Sequence, residues 1–384
     1  MTALAWLLLG FSIAATGLHV GTVGLAMLRC RSRVAPEPPP RFAGAPPLVS
    51  ILRPICGLDT YDEMTLRSGF ALDYPNYELI FCCARADDPA AELVRRLIDQ
   101  HPHVKARLRL GDNAISANPK LNNLVKGWRL ARGEWVIFAD SNVLMPSDYI
   151  ERLLAGWRPG TGILCSPPIG YRPEGFAAEL ECAFLNTYQA RWQYAADSIG
   201  HGFAQGKTML MRRSVLAGAG GIHALAEEIA EDAAATKLVR RLGLSAALVD
   251  APFGQPLGPR RLKQVWDRQT RWARLRRITF PGLFATEVLT GCLLPLAALA
   301  FAANASEMPP ALTAAAFAGL AIMWLGSEAA LARVAGWHLS WQSPIAWLLR
   351  DALLPAVWVH AWLGDGYAWR GNEISTAASG ARAG

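Results

Sequence analysis

The segments ELIFCC (78–83) and WVIFA (135–139) are short apolar runs separated by stretches with helical spacing, and this alternation indicates the class of fold. A third run, LVSIL (48–52), precedes them, and residues 89–100 and 119–131 carry their charges on one side of a helical repeat. Short apolar strands that alternate with such helices are typical of a mostly parallel sheet with helices on both faces. We therefore predict an α/β domain that begins at residue 48.

The sequence before this domain predicts a membrane helix near the N-terminus. Residues 3–28 contain no formal charge, and about 20 apolar residues suffice to cross a bilayer. A secretory signal peptide is the alternative, but it needs a basic region before the apolar run, whereas Arg29, Arg31 and Arg33 follow it. We predict an uncleaved transmembrane helix over 1–30 with the chain after it in the cytosol, followed by a proline-rich linker over 31–47.

The C-terminal third is apolar again. The candidate membrane helices are 283–303, 309–332 and 343–363, of which the last two contain Glu328 and the pair Arg350-Asp351. Charges at bilayer depth are costly and usually face a partner or a cavity, so two or three crossings, or partly interfacial or re-entrant helices, remain open. We expect membrane helices over 282–365 and a polar tail over 366–384.

The overall composition is an average over these unlike regions. The chain has 384 residues, of which 52% are hydrophobic and 18% charged, with a formal net charge of +7. A basic protein invites a nucleic-acid interpretation, but the basic stretch from Arg260 to Arg277 lies beside the expected membrane helices, and no aromatic-rich binding motif accompanies it. We therefore expect no nucleic-acid partner. Since the histidines form no metal-binding pair, a metal would be held mainly by carboxylates.

Acidic residues follow two of the predicted strands, where ligands bind in open parallel sheets. Asp87 and Asp88 follow the strand that ends at Cys83, although before Pro89 such residues are more often turn formers or helix N-caps. Asp140-Ser141-Asn142 follows WVIFA and offers hard oxygen ligands of the kind that Mg²⁺ or Mn²⁺ prefers.

Two further motifs lie later in the chain. Asp232, in AEEIAEDAAATKLV, is either functional or the exposed acidic start of a helix. Arg268, Arg271 and Trp272 belong to RQTRW, whose paired guanidinium groups suit a pyrophosphate. The same basic stretch is also compatible with a helix on the membrane surface, and the two interpretations are not exclusive.

Taken in order, Asp-Asp-Pro, Asp-Ser-Asn, Ala-Glu-Asp and Arg-x-x-Arg-Trp resemble the motifs of membrane glycosyltransferases with a GT-A fold, and more narrowly those of ceramide glucosyltransferases. The resemblance also includes NPKLNNL (118–124) and GKTMLMRR (206–213), and it implies a cytosolic GT-A domain over 48–281. It implies that Asp87 and Asp88 lie at the nucleotide, with softer nucleotide-side candidates in Lys120 and Asn122. It further implies that Asp140 holds the divalent cation, Mg²⁺ or Mn²⁺, that Asp232 is the general base, and that Arg268, Arg271 and Trp272 close the site. Many GT-A enzymes have D-x-D where this chain has Asn142, which puts the affinity and identity of the metal in question.

The implied activity is the inverting transfer of a hexose, glucose by resemblance, from a UDP-sugar to the primary hydroxyl of a membrane lipid, ceramide. Other lipid acceptors (diacylglycerol, a hopanoid or a sterol) stay open, because the acceptor pocket has no readable sequence code. A processive polysaccharide synthase would need more membrane helices, and a non-catalytic scaffold would have lost one of the motif residues. Arginine far outnumbers lysine, which favours a GC-rich bacterial genome and an integral protein of the inner membrane.

Overall fold

The computed structural model describes residues 3–31, 44–364, 366–369 and 372–375. Most of the linker predicted over 31–47, and the end of the predicted tail, lie outside these ranges. The strands are β1 (Val49–Pro54), β2 (Tyr77–Cys83), β3 (Ala106–Leu110), β4 (Trp135–Ala139), β5 (Thr161–Ser166), β6 (Ile169–Glu174), β7 (Thr208–Arg212), β8 (Ser245–Leu248), β9 (Gly254–Pro259), β10 (Gly366–Trp369) and β11 (Asn372–Ser375).

The α-helices are α1 (Ala3–Arg31), α2 (Asp62–Ser68), α3 (Pro89–Gln100), α4 (Pro119–Leu130), α5 (Tyr149–Ala155), α6 (Phe176–Ala183), α7 (Arg191–Ser198), α8 (Arg213–Gly218), α9 (Glu231–Arg241), α10 (Leu262–Thr279), α11 (Pro281–Thr286), α12 (Leu293–Ala305), α13 (Pro310–Ala335) and α14 (Ser343–Trp362). A π-helix, Phe184–Ala190, joins α6 to α7, and 3₁₀ turns cover Gly221–Glu227 and Glu287–Thr290.

The chain forms two compact units. Of the described residues, the first unit, which we call the helical unit, contains 3–31, 173–195 and 259–364, and the second, the sheet unit, contains 44–172, 196–258, 366–369 and 372–375. Helix α10, with the RQTRW motif, therefore belongs to the helical unit.

A seven-stranded sheet in the order β3-β2-β1-β4-β7-β5-β8 organises the sheet unit. Strands β3, β2, β1 and β4 are parallel, as the alternation of strands and helices predicts, and β5 and β8 are also parallel to each other. Strand β7 runs antiparallel to both β4 and β5, which the alternating pattern did not predict. Its register pairs Ala139 with Thr208 and so places the residue before β7 next to Asp140.

Local sequence explains where the helices of this unit begin. Asp88 caps α3 by accepting a hydrogen bond from the backbone N–H of Ala90, and Pro89 occupies the first helical position. Asn118 caps α4 in the same way, and Pro119 is the first residue of that helix. Strand β4 is buried at all five positions, as expected for a central strand of a sheet covered on both faces.

The helical unit contains the apolar segments. Helices α1 and α13 are long and apolar enough to cross a membrane, and the broken pair Pro281–Thr290 and Leu293–Ala305, bent by 53°, counts as a third candidate among the described residues. Glu328, Arg350 and Asp351, inside the last two expected spans, are buried and paired, since Arg350 contacts Glu328 and Asp351, each at 2.7 Å. These contacts fit the expectation that charges at such depth face partners.

Candidate active site

Asp140 follows β4 directly, and the fold fixes the turn that contains it. Arg53, fully buried on β1, donates to the carbonyl oxygens of Asp140, Ser141 and Val143 at 3.1, 2.9 and 3.1 Å. The backbone N–H of Asp140 in turn donates to the carbonyl of Lys207 at 3.0 Å. The position of this carboxylate is therefore set by two strands and a buried guanidinium group.

Two lysines hold the Asp140 carboxylate. The Nζ atom of Lys120 lies 2.7 Å from Oδ1, and that of Lys207 lies 3.0 Å from Oδ2. Burial alone would raise the pKa of Asp140, but the two ammonium groups outweigh burial and lower it to about 2. Asp140 is therefore ionised at any physiological pH and cannot serve as a proton acceptor there.

Lys120 connects Asp140 to a second carboxylate. Its ammonium group also lies 2.7 Å from Oε1 of Glu231 and donates to the carbonyl of Gly206. Glu231 accepts a further hydrogen bond from the Asn118 side chain at 2.6 Å. Burial tends to lower the pKa of Lys120, yet Asp140 and Glu231 raise it overall, so this lysine stays charged.

Asp232 differs from Asp140 and Glu231, because no lysine in the described part of the chain forms an ion pair with it. Its Oδ2 atom accepts from the backbone N–H of Gly206 and its Oδ1 atom from that of Ala233, both at 2.8 Å. Burial and the adjacent Glu231 raise its pKa to about 6, against a partial opposing effect of Lys120. A carboxylate with a pKa just below neutral is ionised at pH 7 and binds protons well, which suits a general base.

Gly206 leaves room for the close packing of this cluster. A Cβ atom at this position would lie 2.5 Å from Oε1 of Glu231 and 2.6 Å from Nζ of Lys120. Both distances are shorter than side-chain atoms tolerate, so any larger residue would push the lysine or the glutamate aside.

The site lies in a chain whose sequence profile matches that of glycosyl transferase family 21 over residues 9–382. The chain belongs to glycosyl transferase family 21. Ceramide glucosyltransferase 1 of Caenorhabditis elegans is 29% identical to it over 289 residues, which cover 75% of this chain and 61% of the relative. Ceramide glucosyltransferase 3 of the same organism is 28% identical over 343 residues, covering 87% and 74%. The resemblance to ceramide glucosyltransferases is thereby confirmed.

A solved structure shares the architecture of this family 21 chain. A mannosyltransferase from Pyrobaculum calidifontis, in complex with GDP-Man and Mn²⁺, superposes with a TM-score of 0.55 at 18% identity, over 93% of this chain and 98% of that one. The similarity confirms the predicted GT-A fold.

The structure brings some of the predicted site residues together. Lys120, Asp140 and Asp232 form one cluster through their contacts with Gly206 and Glu231. Asn122 lies on the same helix as Lys120, but its side chain accepts from the N–H groups of Ile115 and Ser116 at 3.0 Å and so fastens the loop before α4.

The aspartates after β2 have different surroundings. Asp88 caps α3, and both of its carboxylate oxygens also lie 2.9 Å from the backbone N of Gly57, in the loop that follows β1. Asp87 is exposed and pairs with Arg85 at 2.6 Å. The helix-cap interpretation of Asp88 is therefore correct as far as local structure goes, and its role at a nucleotide stays a prediction.

The RQTRW residues lie on α10 in the helical unit. Arg268 forms an ion pair with Glu181, which is buried and also lies 3.3 Å from Nε of Arg260. Arg271 and Trp272 are half-buried on the next turn. Their roles also stay predictions.

Three charged residues of these clusters were not predicted from the sequence. Glu231 and Lys207 belong to the cluster around Asp140, and Glu181 partners Arg268. Glu231 could have been found from its place beside Asp232 in the AED motif, and Lys207 from its place in the GKTMLMRR segment, whereas Glu181 lies in none of the motifs quoted above.

The side-chain oxygen atoms of Asp140 and Asn142 are placed to bind a cation. Oδ2 of Asp140 and Oδ1 of Asn142 lie 3.0 and 3.1 Å from the same ammonium nitrogen of Lys207, so these two hard oxygens converge on one cationic position. The described residues contain no group of three histidine, cysteine or acidic side chains placed to hold a metal ion. A divalent cation at this position would therefore be held by Asp140 and Asn142, with oxygens of a bound ligand or of water completing its coordination.

Proposed function

We propose that this family 21 protein is a membrane-bound glycosyltransferase that moves a hexose, glucose, from a UDP-sugar to the primary hydroxyl of ceramide with inversion at the sugar C1 carbon. The observation that carries the proposal is Asp232, a carboxylate with a pKa of about 6 beside a lysine-bound carboxylate cluster after β4. The similarity to ceramide glucosyltransferases supports the choice of acceptor, and these relatives are longer proteins, of which the first is matched over 61% of its length.

The acceptor hydroxyl is a poor nucleophile at neutral pH and needs a base within hydrogen-bond reach. Asp232 would take that proton as the oxygen attacks C1 of the sugar. The two backbone N–H groups that bind its carboxylate, from Gly206 and Ala233, hold it in place without neutralising it. One base and a charged leaving group suffice for a single displacement, which inverts C1.

The leaving nucleoside diphosphate develops negative charge that the site must stabilise. Lys120 contributes a permanent positive charge, and Arg268 and Arg271 would bind the diphosphate through their planar guanidinium groups. A divalent cation, Mg²⁺ or Mn²⁺, held at Asp140 and Asn142 would add Lewis-acid charge at the same leaving group. We place Asp87, Asp88 and Asn122 on the nucleotide side, where the contact of Asp88 with Gly57 joins the loops after β1 and β2.

The membrane segments match the location of the two substrates. The lipid acceptor stays in the bilayer, while the UDP-sugar is cytosolic and soluble. Arg29 and Arg31, at the end of α1, favour a cytosolic sheet unit by the positive-inside rule. Trp272 on α10 would contact the acceptor at headgroup depth. We assign the protein to the inner membrane of a bacterium, from its arginine-rich composition.

Expression in a host without glycolipids, with and without added ceramide, tests the proposal. We expect a hexosylceramide in the lipid extract by mass spectrometry only when ceramide is supplied. A new glycolipid that forms without ceramide would replace ceramide by another lipid as the acceptor, and the absence of any glycolipid would overturn the proposal. Transfer in washed membranes should fall on treatment with EDTA and return with Mn²⁺; undiminished transfer would remove Asp140 from its metal role.

A further inference from the structure

Lys207 is held at its position by the fold, and its site has no assigned role. It immediately precedes β7, whose antiparallel register with β4 pairs Thr208 with Ala139. Its carbonyl accepts from the N–H of Asp140 at 3.0 Å, and its own N–H donates to the carbonyl of Gln205 at 2.8 Å. The backbone of Lys207 is therefore tied to the backbone of Asp140.

The ammonium group of Lys207 bridges two oxygen ligands. It lies 3.0 Å from Oδ2 of Asp140 and 3.1 Å from Oδ1 of Asn142, and the lysine side chain is only 14% exposed. The other oxygen of Asp140 is taken by Lys120 at 2.7 Å. A cation between Asp140 and Asn142 would therefore meet Lys207 at the same oxygens.

Residue 142, the third of the Asp-Ser-Asn motif, determines how many negative charges face a cation at this position. An aspartate at residue 142 would leave two carboxylates to balance one lysine and a divalent ion. With the neutral Asn142, Asp140 is the only charged ligand of the pair, and Lys207 together with Lys120 already places two positive charges on it. The described contacts thus favour a monovalent cation supplied by the protein itself.

We propose that the ammonium group of Lys207 competes with a divalent metal ion for the position between Asp140 and Asn142, and that it binds the diphosphate of the sugar donor when the metal is scarce. The second half rests on the proposed function, because it assumes that a nucleoside diphosphate binds at Asp140. The first half concerns only the affinity for the metal. The two halves are measured separately.

Mn²⁺ binding to the purified full-length protein in detergent, without nucleotide, tests the competition. We compare wild type with Lys207→Met, and use Lys207→Arg as the variant that keeps the charge. The matched control is Lys237→Met, which removes a lysine from an ion pair with Glu228 outside the cluster. Electron paramagnetic resonance of free Mn²⁺ reports binding directly, and thermal unfolding shows whether each variant is folded.

Lys207→Met should bind Mn²⁺ at least about tenfold more tightly, because a like charge within a few ångströms opposes the ion. Lys207→Arg and Lys237→Met should bind like wild type. Unchanged or weaker binding by a folded Lys207→Met, or the same gain in Lys237→Met, would overturn the competition. If Lys207→Met does not fold, Lys207→Gln, which keeps a hydrogen-bond donor, gives the same comparison.

UDP binding in EDTA tests the second half. Isothermal titration should show affinity for UDP about tenfold lower in Lys207→Met than in Lys237→Met, since one charge-assisted contact to phosphate is lost. Equal affinities in the two variants would refute a role at the diphosphate. If wild type binds no UDP with or without Mn²⁺, the proposed function itself fails, while the Mn²⁺ comparison still stands.

Discussion

Asp232→Asn separates the catalytic role of this carboxylate from its effect on stability, because the two should change in opposite directions. The folded pKa of about 6 lies above the ordinary value of 3.8, so the folded state binds the proton more tightly than the unfolded state. Protonation therefore stabilises the fold. This stabilisation is complete below pH 3.8, declines as the pH rises to 6, and is absent above it.

The magnitude follows from the two pKa values. The difference between 3.8 and about 6 corresponds to about 3 kcal/mol of unfolding free energy lost between low and neutral pH. Asparagine at residue 232 is neutral and therefore avoids the loss that comes from ionising the carboxyl group in the folded state. It has only one oxygen for two N–H donors, however, so the backbone N–H of Gly206 or of Ala233 loses its acceptor. That loss costs about 1–2 kcal/mol, and at pH 7.5 the variant should be more stable than wild type by about 1–2 kcal/mol.

Denaturant unfolding at pH 4.5 and 7.5 measures this directly. The advantage of Asp232→Asn should shrink or reverse at pH 4.5, where the wild-type carboxyl is protonated. Transfer by the variant should fall by about 10²–10⁴, the usual contribution of a general base. In wild type, kcat/KM should fall tenfold for each pH unit below 6. Glu227→Gln, at a 55% exposed side chain paired with Arg241, is the control and should change neither quantity.

Two results would contradict the role and the raised pKa of Asp232. The first is a variant that transfers sugar as fast as wild type, which removes the base. The second is a stability difference between variant and wild type that does not change with pH, because the raised pKa would then be wrong even if the residue is catalytic.

Three other substitutions test the rest of the site. Lys120→Met leaves the carboxylates of Asp140 and Glu231 without their shared ammonium group. The free energy of unfolding, measured from denaturant curves, should fall by about 3 kcal/mol. A decrease below about 1 kcal/mol would mean that the ion pairs are not formed. Gly206→Ala should lower the Tm and should also slow transfer by at least about tenfold, because its Cβ would lie 2.5 Å from a carboxylate oxygen. Gly218→Ala, with no atom within 4 Å of the added Cβ, should leave both the Tm and the rate unchanged. Arg268→Ala should reduce kcat by about 10²–10³ if the guanidinium group stabilises the leaving group, and a purely structural partner of Glu181 would instead lower the Tm with little change in the kcat of the folded fraction.

Much of the fold is predictable from local patterns. The apolar runs at β1, β2 and β4, the helical spacing of α3 and α4, and the uncharged length of α1 all agree with the structure. These features depend on the periodicity of neighbouring residues, which a single sequence displays. The antiparallel insertion of β7 was not predicted, because strand direction depends on where the chain returns to the sheet.

The candidate site is predictable only where a motif is written in consecutive residues. Asp140 and Asp232 could be chosen because each belongs to a short motif with an expected place at a strand or helix end. For Asp88 the same local reasoning left two interpretations open, and the structure shows its cap contacts to Ala90 and Gly57. A carboxylate can fill both roles, so local pattern alone does not choose between them.

The class of fold, the apolar helices and the order of the motifs were predictable from the sequence, since these follow from hydrophobic periodicity and from residues adjacent in the chain. The electrostatics of the site became visible in the folded chain alone. Lys120 reaches Asp140 from helix α4 and Lys207 from the position just before strand β7, both distant from it in sequence, and they lower its pKa to about 2. Asp232, half-buried beside Glu231, has its pKa raised to about 6 by desolvation and by that neighbour. Two aspartates with the same intrinsic acidity thus take different protonation behaviour, because charge and burial act through space and not along the chain.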